Sequence, residues 1–165
     1  MSDRGTHHRI AQGVTIVRAC ESPFGALKRR PRGTKGLGLK YESDVAKALA
    51  ARGFRVLVGQ WFHFRDAHGW GYCQTDLLLQ LGDCVCVLEC KLTDTDGARS
   101  QLTRLYRPVL EAGFKRPVKC VAVARSLSKE QWLGGVFASL DEALASPLAL
   151  GPMPPTLHWI GRGPI

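Results

Sequence analysis

Acidic residues are scarce in this chain. Only 14 Asp and Glu stand against 23 Lys and Arg, a formal charge of +9 over 165 residues. An excess of this size points to an anionic partner, nucleic acid first and a membrane surface second. Long apolar runs are missing as well. No stretch approaches the roughly 18 residues of a membrane-spanning helix, and Met1 to Ile10 lack the apolar core of a secretion signal. The expectation is a cytoplasmic protein with no membrane partner. The six cysteines include no C-x-x-C pair, which disfavours a zinc knuckle; they read as free, buried, small hydrophobes. Gly33 to Gly38 lacks the Gly-Lys-Ser/Thr ending of a phosphate-binding loop, so no nucleotide cofactor is expected. His63 and His68 have no third metal ligand in reach, and His7-His8 read as tail residues. At 45% hydrophobic, the composition excludes wholesale disorder.

The positive charge is unevenly placed. Residues 1–40 carry a net +7, residues 41–91 a net −1 and residues 92–165 a net +3. The middle is thus the acidic part of a basic protein. Three regions follow: a basic N-terminal arm over 1–39, a core over 40–148 and a Pro/Gly-rich tail over 149–165. The arm holds one short apolar stretch, Val14 to Val17. The glycines and proline around Lys28 to Gly36 argue against a helix there.

Val45, Ala46, Leu49 and Ala50 recur at helical spacing and Gly53 ends the pattern, which predicts a helix over 40–52. Phe54 to Phe64 reads as a strand, Asp66 to Gly71 as a loop and Tyr72 to Leu81 as a second strand. Gly82-Asp83 is turn chemistry, and Cys84 to Leu92 reads as a third strand. Residues 98–112 form a second amphipathic helix with Pro108 as an interior blemish. Val118 to Ala124 is a further apolar strand, Ser128 caps a short helix, and smaller elements follow at 136–138 and 140–145. The tail is expected as an extended wrap or a loose end. The element order predicts an α/β fold, α-β-β-β-α-β, with a mixed four-stranded sheet flanked by helices.

Charged residues interrupt the most apolar part of the chain. Asp76 precedes Leu77-Leu78-Leu79, and Glu89 and Lys91 end the run from Val85 to Leu92. Burying a charge is costly unless it is paired or bound to a metal. Alternation along a strand points Glu89 and Lys91 the same way and Cys90 the other. A hairpin centred on Gly82-Asp83 sets Asp76 directly opposite Glu89. Facing carboxylates repel, and a divalent cation between them resolves the repulsion. Hard carboxylate oxygens suit Mg²⁺ or Mn²⁺, which acidify water and stabilise charge on an attacked phosphate. A nearby lysine orients or deprotonates that water. The alternative is a satisfied Glu89–Lys91 ion pair with Asp76 at a strand end.

Asp76, followed after twelve residues by Glu89-Cys90-Lys91, resembles the PD-(D/E)xK nuclease signature. Gly36-Leu37-Gly38-Leu39-Lys40-Tyr41-Glu42 and the stretch from Ala48 to Val56 are similar to the first helix and strand of archaeal-type Holliday-junction resolvases and related phage endonucleases. The resemblance covers roughly residues 35–125. Thr75 stands where that family often has proline, a position that varies. The resemblance implies a restriction-endonuclease-like core, with Glu42, Asp76 and Glu89 as metal ligands and Lys91 as the catalytic lysine. An ordinary first-turn glutamate favoured by the helix dipole is the alternative for Glu42. In RecB-like members a glutamine on the second helix also contacts the site, with a tyrosine following after three intervening residues. Here Gln101 and Tyr106 are separated by four, a spacing at which they do not share an α-helical face.

The candidates for phosphate contact are Lys28, Arg29, Arg30, Arg32 and Lys35, then Arg99, Arg104 and Arg107 on the second helix. A solvated tail is the alternative for the first group. Trp61, His63, Trp70 and Tyr72 flank the expected loop; such aromatics stack on splayed bases, although core packing suits Trp61 better. The expected function is metal-dependent hydrolysis of DNA phosphodiester bonds, on branched, junction or single-stranded substrates in replication or recombination. A homodimer follows by analogy with resolvases. A non-catalytic nucleic-acid-binding module of the same fold and a ribonuclease stay open.

Overall fold

The structure is a computed structural model, and it describes residues 9–25, 33–93 and 95–165. Its first element is strand β1 (Ile16–Cys20), followed by helix α1 (Gly33–Ala51). Then come β2 (Val56–Val58), β3 (Trp61–Asp66), β4 (Gly69–Gln74), β5 (Leu77–Gln80) and β6 (Val85–Lys91). Helix α2 (Thr95–Gln101) runs through a π-helical stretch (Leu102–Tyr106) into α3 (Arg107–Phe114). The chain ends with β7 (Val118–Ala124), α4 (Lys129–Trp132), β8 (Val136–Phe137), α5 (Leu140–Ala145), a 3₁₀ turn (Pro147–Leu150) and β9 (Thr156–His158).

The architecture is mixed α/β with a mixed sheet flanked by helices. That sheet has six strands in the order β2-β5-β6-β7-β9-β8, not the four expected. β6 pairs antiparallel with β5 and parallel with β7, so the α2–α3 segment is the crossover between them. Every residue of β6 except Lys91 is buried, as a central strand covered on both faces requires. One face packs Leu78, Val85 and Val87 against Leu102, Leu105, Val109 and Leu110 of the crossover. The other packs Leu77, Leu79, Cys86 and Leu88 against Val45 and Leu49 of α1 and Leu140 of α5. Each fully enclosed leucine contributes about 1.5–3 kcal/mol. The six cysteines are free, and five are buried.

The two expected strands at 54–64 and 72–81 are each split. β1, β3 and β4 form a separate three-stranded sheet, while β2 and β5 belong to the large one. The pairing is nevertheless one long bent hairpin, in unbroken register from Val56↔Leu79 to Asp66↔Gly69. The bend falls at Gly59, whose φ of +62° favours glycine. Backbone bonds fix it there: Gly59 N–H donates to the Asp76 carbonyl at 2.9 Å and Thr75 N–H to that of Gln60 at 3.0 Å. The expected loop at 66–71 shrinks to the tight turn Ala67-His68, because Asp66 and Gly69 already pair across the strands.

One further expectation is corrected. α1 starts at Gly33, seven residues before Lys40, despite three glycines in its first six residues. Each glycine costs a helix about 1 kcal/mol against alanine, and the described side chains before Tyr41 are exposed or half-buried, so the packing that anchors the helix begins only at Tyr41, Val45 and Leu49. Pro108 falls in the first turn of α3, directly after the π-helical stretch. Lacking an N–H, it leaves the Arg104 carbonyl four residues back without its helical donor, and the Ala11 backbone N–H takes that acceptor at 2.9 Å. That bond docks the N-terminal segment beside the crossover helix. The C-terminal residues take the wrapped form, with β9 inside the sheet and Trp159 and Ile165 in the core.

Candidate active site

The site forms where β5 and β6 meet at the bend of the long hairpin. β5 and β6 pair with Leu77 opposite Leu88 and Gln80 opposite Val85, around a turn closed by Leu81 N–H to the Cys84 carbonyl. That is the register expected from Gly82-Asp83. It carries on to Asp76 beside Glu89, and Asp76 Oδ2 accepts a 2.9 Å bond from the backbone N–H of Cys90. Glu89 projects on the crossover-helix side of the sheet, as do Val85 and Val87.

Glu89 is almost fully enclosed, at 3% exposure. Lys91 Nζ lies 3.5 Å from its Oε1, and Oε2 is buried with no hydrogen-bond partner among the described residues. Burial first, and then the Asp76 charge, hold the Glu89 carboxyl well above its usual range, against the pull of Lys91. Glu42 reaches the same place from α1. Burial raises its carboxyl to about 8, the Asp76 charge adds to the rise, and Lys91 opposes it. Glu42 is the tenth residue of its helix, so the first-turn dipole does not account for it. Three carboxylates thus feel one another around one lysine. They do not converge on a single point: among the described residues, no three His, Cys, Asp or Glu side chains gather closely enough to hold a metal. The unpartnered Glu89 oxygen and the hard-oxygen donor set fit a divalent cation held by Asp76 and Glu89, with Glu42 as the neighbouring third carboxylate.

These groups open into a cleft of about 730 Å³. α1 lines it with Lys35, Gly38, Leu39 and Glu42, and the crossover with Gly97, Ser100, Gln101, Arg104 and Tyr106. Gln101 and Tyr106 therefore meet in one cleft, although their spacing is wrong for an α-helix. The π-helical stretch is the reason. Its hydrogen bonds close from i to i+5, as in Arg107 N–H to the Leu102 carbonyl, and residues five apart come into line. The Tyr106 phenol is held well above its usual value by burial, and then by the charges of Glu89 and Asp76.

The basic candidates separate. Lys35 is exposed and lines the cleft, and Arg104 lines it from the opposite wall. Arg99 points elsewhere: its guanidinium donates to the Pro154 carbonyl at 3.0 Å and to Thr156 Oγ1 at 2.8 Å, tying the crossover to the C-terminal strand. Arg107 likewise donates to the carbonyls of Gly151 and Ala149. Lys28, Arg29, Arg30 and Arg32 lie outside the described residues.

Two cleft residues had no signal in the sequence. Gln74 ends β4 beside the bend, and Arg9 reaches over the β3–β4 turn. Arg9 donates to Asp66 Oδ1, to the Gly69 carbonyl at 2.8 Å and to the Trp70 carbonyl at 2.9 Å. A Cβ at position 71 falls 2.5 Å from the Arg9 guanidinium and 3.1 Å from the Phe64 ring, so a larger residue there displaces the arginine from its place over the turn. Neither residue belongs to a motif: hairpin pairing places Gln74, and side-chain bonds to the β3–β4 turn place Arg9.

No protein-family model matches the chain, and no curated protein does. Two solved structures are similar in part. One is a type III CRISPR defence DNA nuclease activated by cyclic oligoadenylate, 21% identical over 59% of this chain and 15% of that one, with a TM-score of 0.39. The other is a protein from Vibrio cholerae, 16% identical over 55% of this chain and 24% of that one, also with a TM-score of 0.39. The match spans at most about a quarter of either neighbour's length.

Proposed function

We propose that this protein is a divalent-metal-dependent endonuclease that hydrolyses DNA phosphodiester bonds and selects its substrate by DNA structure. The observation that carries the reading is the pairing of Asp76 with a buried Glu89 whose second oxygen is unpartnered, with Lys91 on the same strand face, at the floor of an open cleft. Asp76 and Glu89 would hold a Mg²⁺ or Mn²⁺ ion, with Glu42 beside them. Such an ion, when bound, would acidify water and neutralise charge at the phosphate. Lys91 positions the attacking water and offsets charge that develops on the phosphate oxygens. Gln101 contacts the scissile phosphate from the crossover wall, in front of the buried Tyr106. Lys35 and Arg104 contact flanking phosphates, and burial of Glu89 keeps bulk water from its carboxylate.

Cleavage of a panel of junction, flap, linear duplex, single strand and RNA with Mg²⁺ or Mn²⁺ tests this. Wild type cuts at least one DNA member, and Asp76→Ala and Lys91→Ala do not. A wild type that cuts nothing, or variants that cut as well as it does, sinks the proposal. Cutting of RNA alone makes the protein a ribonuclease. Resolvase-like action also needs two copies on one junction, which sedimentation with and without DNA reads directly.

A further inference from the structure

The three-stranded sheet has two unlike faces. Its inner face buries Phe62, Phe64 and Cys73 against the crossover helix. Its outer face carries Ile16, Arg18 and Cys20 of β1, Trp61, His63 and Arg65 of β3, and Trp70, Tyr72 and Gln74 of β4. No acidic residue lies among these positions, and two arginines do. Their rings are arranged, not scattered. His63 stacks on Tyr72 at 4.3 Å and 12°, and on Trp70 at 4.6 Å and 30°. Trp61 continues the row and meets Phe24 edge-on at 5.6 Å. Trp70 and Phe24 are 48% and 56% exposed, so the row is open at both ends. Core packing does not explain it, because the core lies on the other face.

The row leads to the cleft. Gln74 sits on the same face as Tyr72 and lines the cleft, and the four residues from Tyr72 to Asp76 span at most about 14 Å. We infer that this outer face is a stacking platform for unpaired DNA bases, which lays a single-stranded segment beside the scissile bond. Flat aromatic rings take any base, Arg18 and Arg65 supply positive charge for the backbone, and only unpaired bases present a free face. This specificity rests on the nuclease reading, whereas binding at the platform does not require cleavage.

Anisotropy of a labelled oligo-dT of about 16 nucleotides, the upper end of such site sizes, reads the platform in the full chain without divalent metal. A blunt duplex of equal length is the comparison. Trp70→Ala and Tyr72→Ala should each weaken oligo-dT binding about tenfold, the order of one stacked base, with duplex binding nearly unchanged. Trp70→Phe should keep most of the affinity. Trp132→Ala, equally exposed on another surface, should keep all of it. The inference is overturned if both aromatic truncations bind oligo-dT like wild type, or if duplex binding falls equally. It is also overturned if Trp70→Ala dissolves a dimer and leaves oligo-dT binding intact. A wild type that cuts no substrate but loses oligo-dT affinity on Trp70→Ala removes the nuclease reading and leaves the platform standing.

Discussion

Asp66 and Glu89 are both buried carboxylates, 6% and 3% exposed, yet their surroundings are opposite. Asp66, at the β3–β4 turn, accepts from the Arg9 guanidinium, the His68 N–H at 2.9 Å and the Gln12 N–H at 3.2 Å. Burial pushes its carboxyl up, but the Arg9 and backbone donors outweigh it and hold the group below its usual value. Glu89, at the end of β6, has one lysine at 3.5 Å, no partner on its second oxygen and other carboxylates nearby. At similar depth, the donors decide. The desolvation cost is offset at the turn and left standing in the cleft. Asp66 therefore reads as part of the scaffold and Glu89 as part of a site.

Activity should separate the two regions most. Asp76→Ala and Lys91→Ala should lower the cleavage rate at least about a hundredfold, whereas Asp66→Asn should leave the rate constant of the folded protein largely intact. Single-turnover kinetics distinguishes these outcomes, and an equal loss in all three breaks the comparison.

Stability should separate them the other way. Asp66→Ala removes the carboxylate that Arg9 and two backbone N–H groups share and should cost about 2–3 kcal/mol, since Arg9 keeps the Gly69 and Trp70 carbonyls. Glu89→Gln removes an ill-paired buried acid and should leave metal-free stability within about 1 kcal/mol of wild type or raise it. Urea unfolding in chelator decides.

The pH dependence has opposite signs. Glu42 rises from 4.5 in the ordinary state to about 8 in the fold. Above the first value the unfolded chain releases its proton while the folded one keeps it, so stability falls as pH climbs through that window. Mg²⁺ should reverse the fall, and Glu42→Gln should flatten it. The Asp66 contribution is complete above its ordinary 3.8 and is lost as pH drops through its lower folded value. Thermal melts from acid to mildly alkaline pH show both limbs; a slope that Glu42→Gln does not change places the repulsion elsewhere.

The smallest effects concern the arginines and lysines. Lys35→Gln should lower the salt slope of DNA binding by about 1 and leave the melt unchanged. Arg99→Gln should leave that slope unchanged and cost about 1 kcal/mol of stability, since its guanidinium holds Pro154 and Thr156.

Local pattern carried much of this. The β5–β6 register followed from turn chemistry and alternation, and with it the meeting of Asp76 and Glu89. The helix over 140–145 and the Ser128 cap followed from spacing and capping preference. Other features had no local signal. Phe54 to Phe64 reads as one apolar strand because hydrophobicity does not record which sheet a strand joins. The π-helical turn that brings Gln101 and Tyr106 together depends on packing across the crossover. Arg99 and Lys35 look alike in sequence, and only their neighbours in space set them apart.

The sequence by itself determined which side chains share a strand face and where apolar runs must turn, because those rest on periods of 2.0 and 3.6 residues. It placed Asp76 against Glu89 with Lys91 alongside. Tertiary structure alone decided that the long hairpin bends at Gly59, that Arg9 satisfies Asp66 and that Glu89 Oε2 is unpartnered. Those outcomes depend on donors brought from 57 residues away or not brought at all, and no local period encodes them.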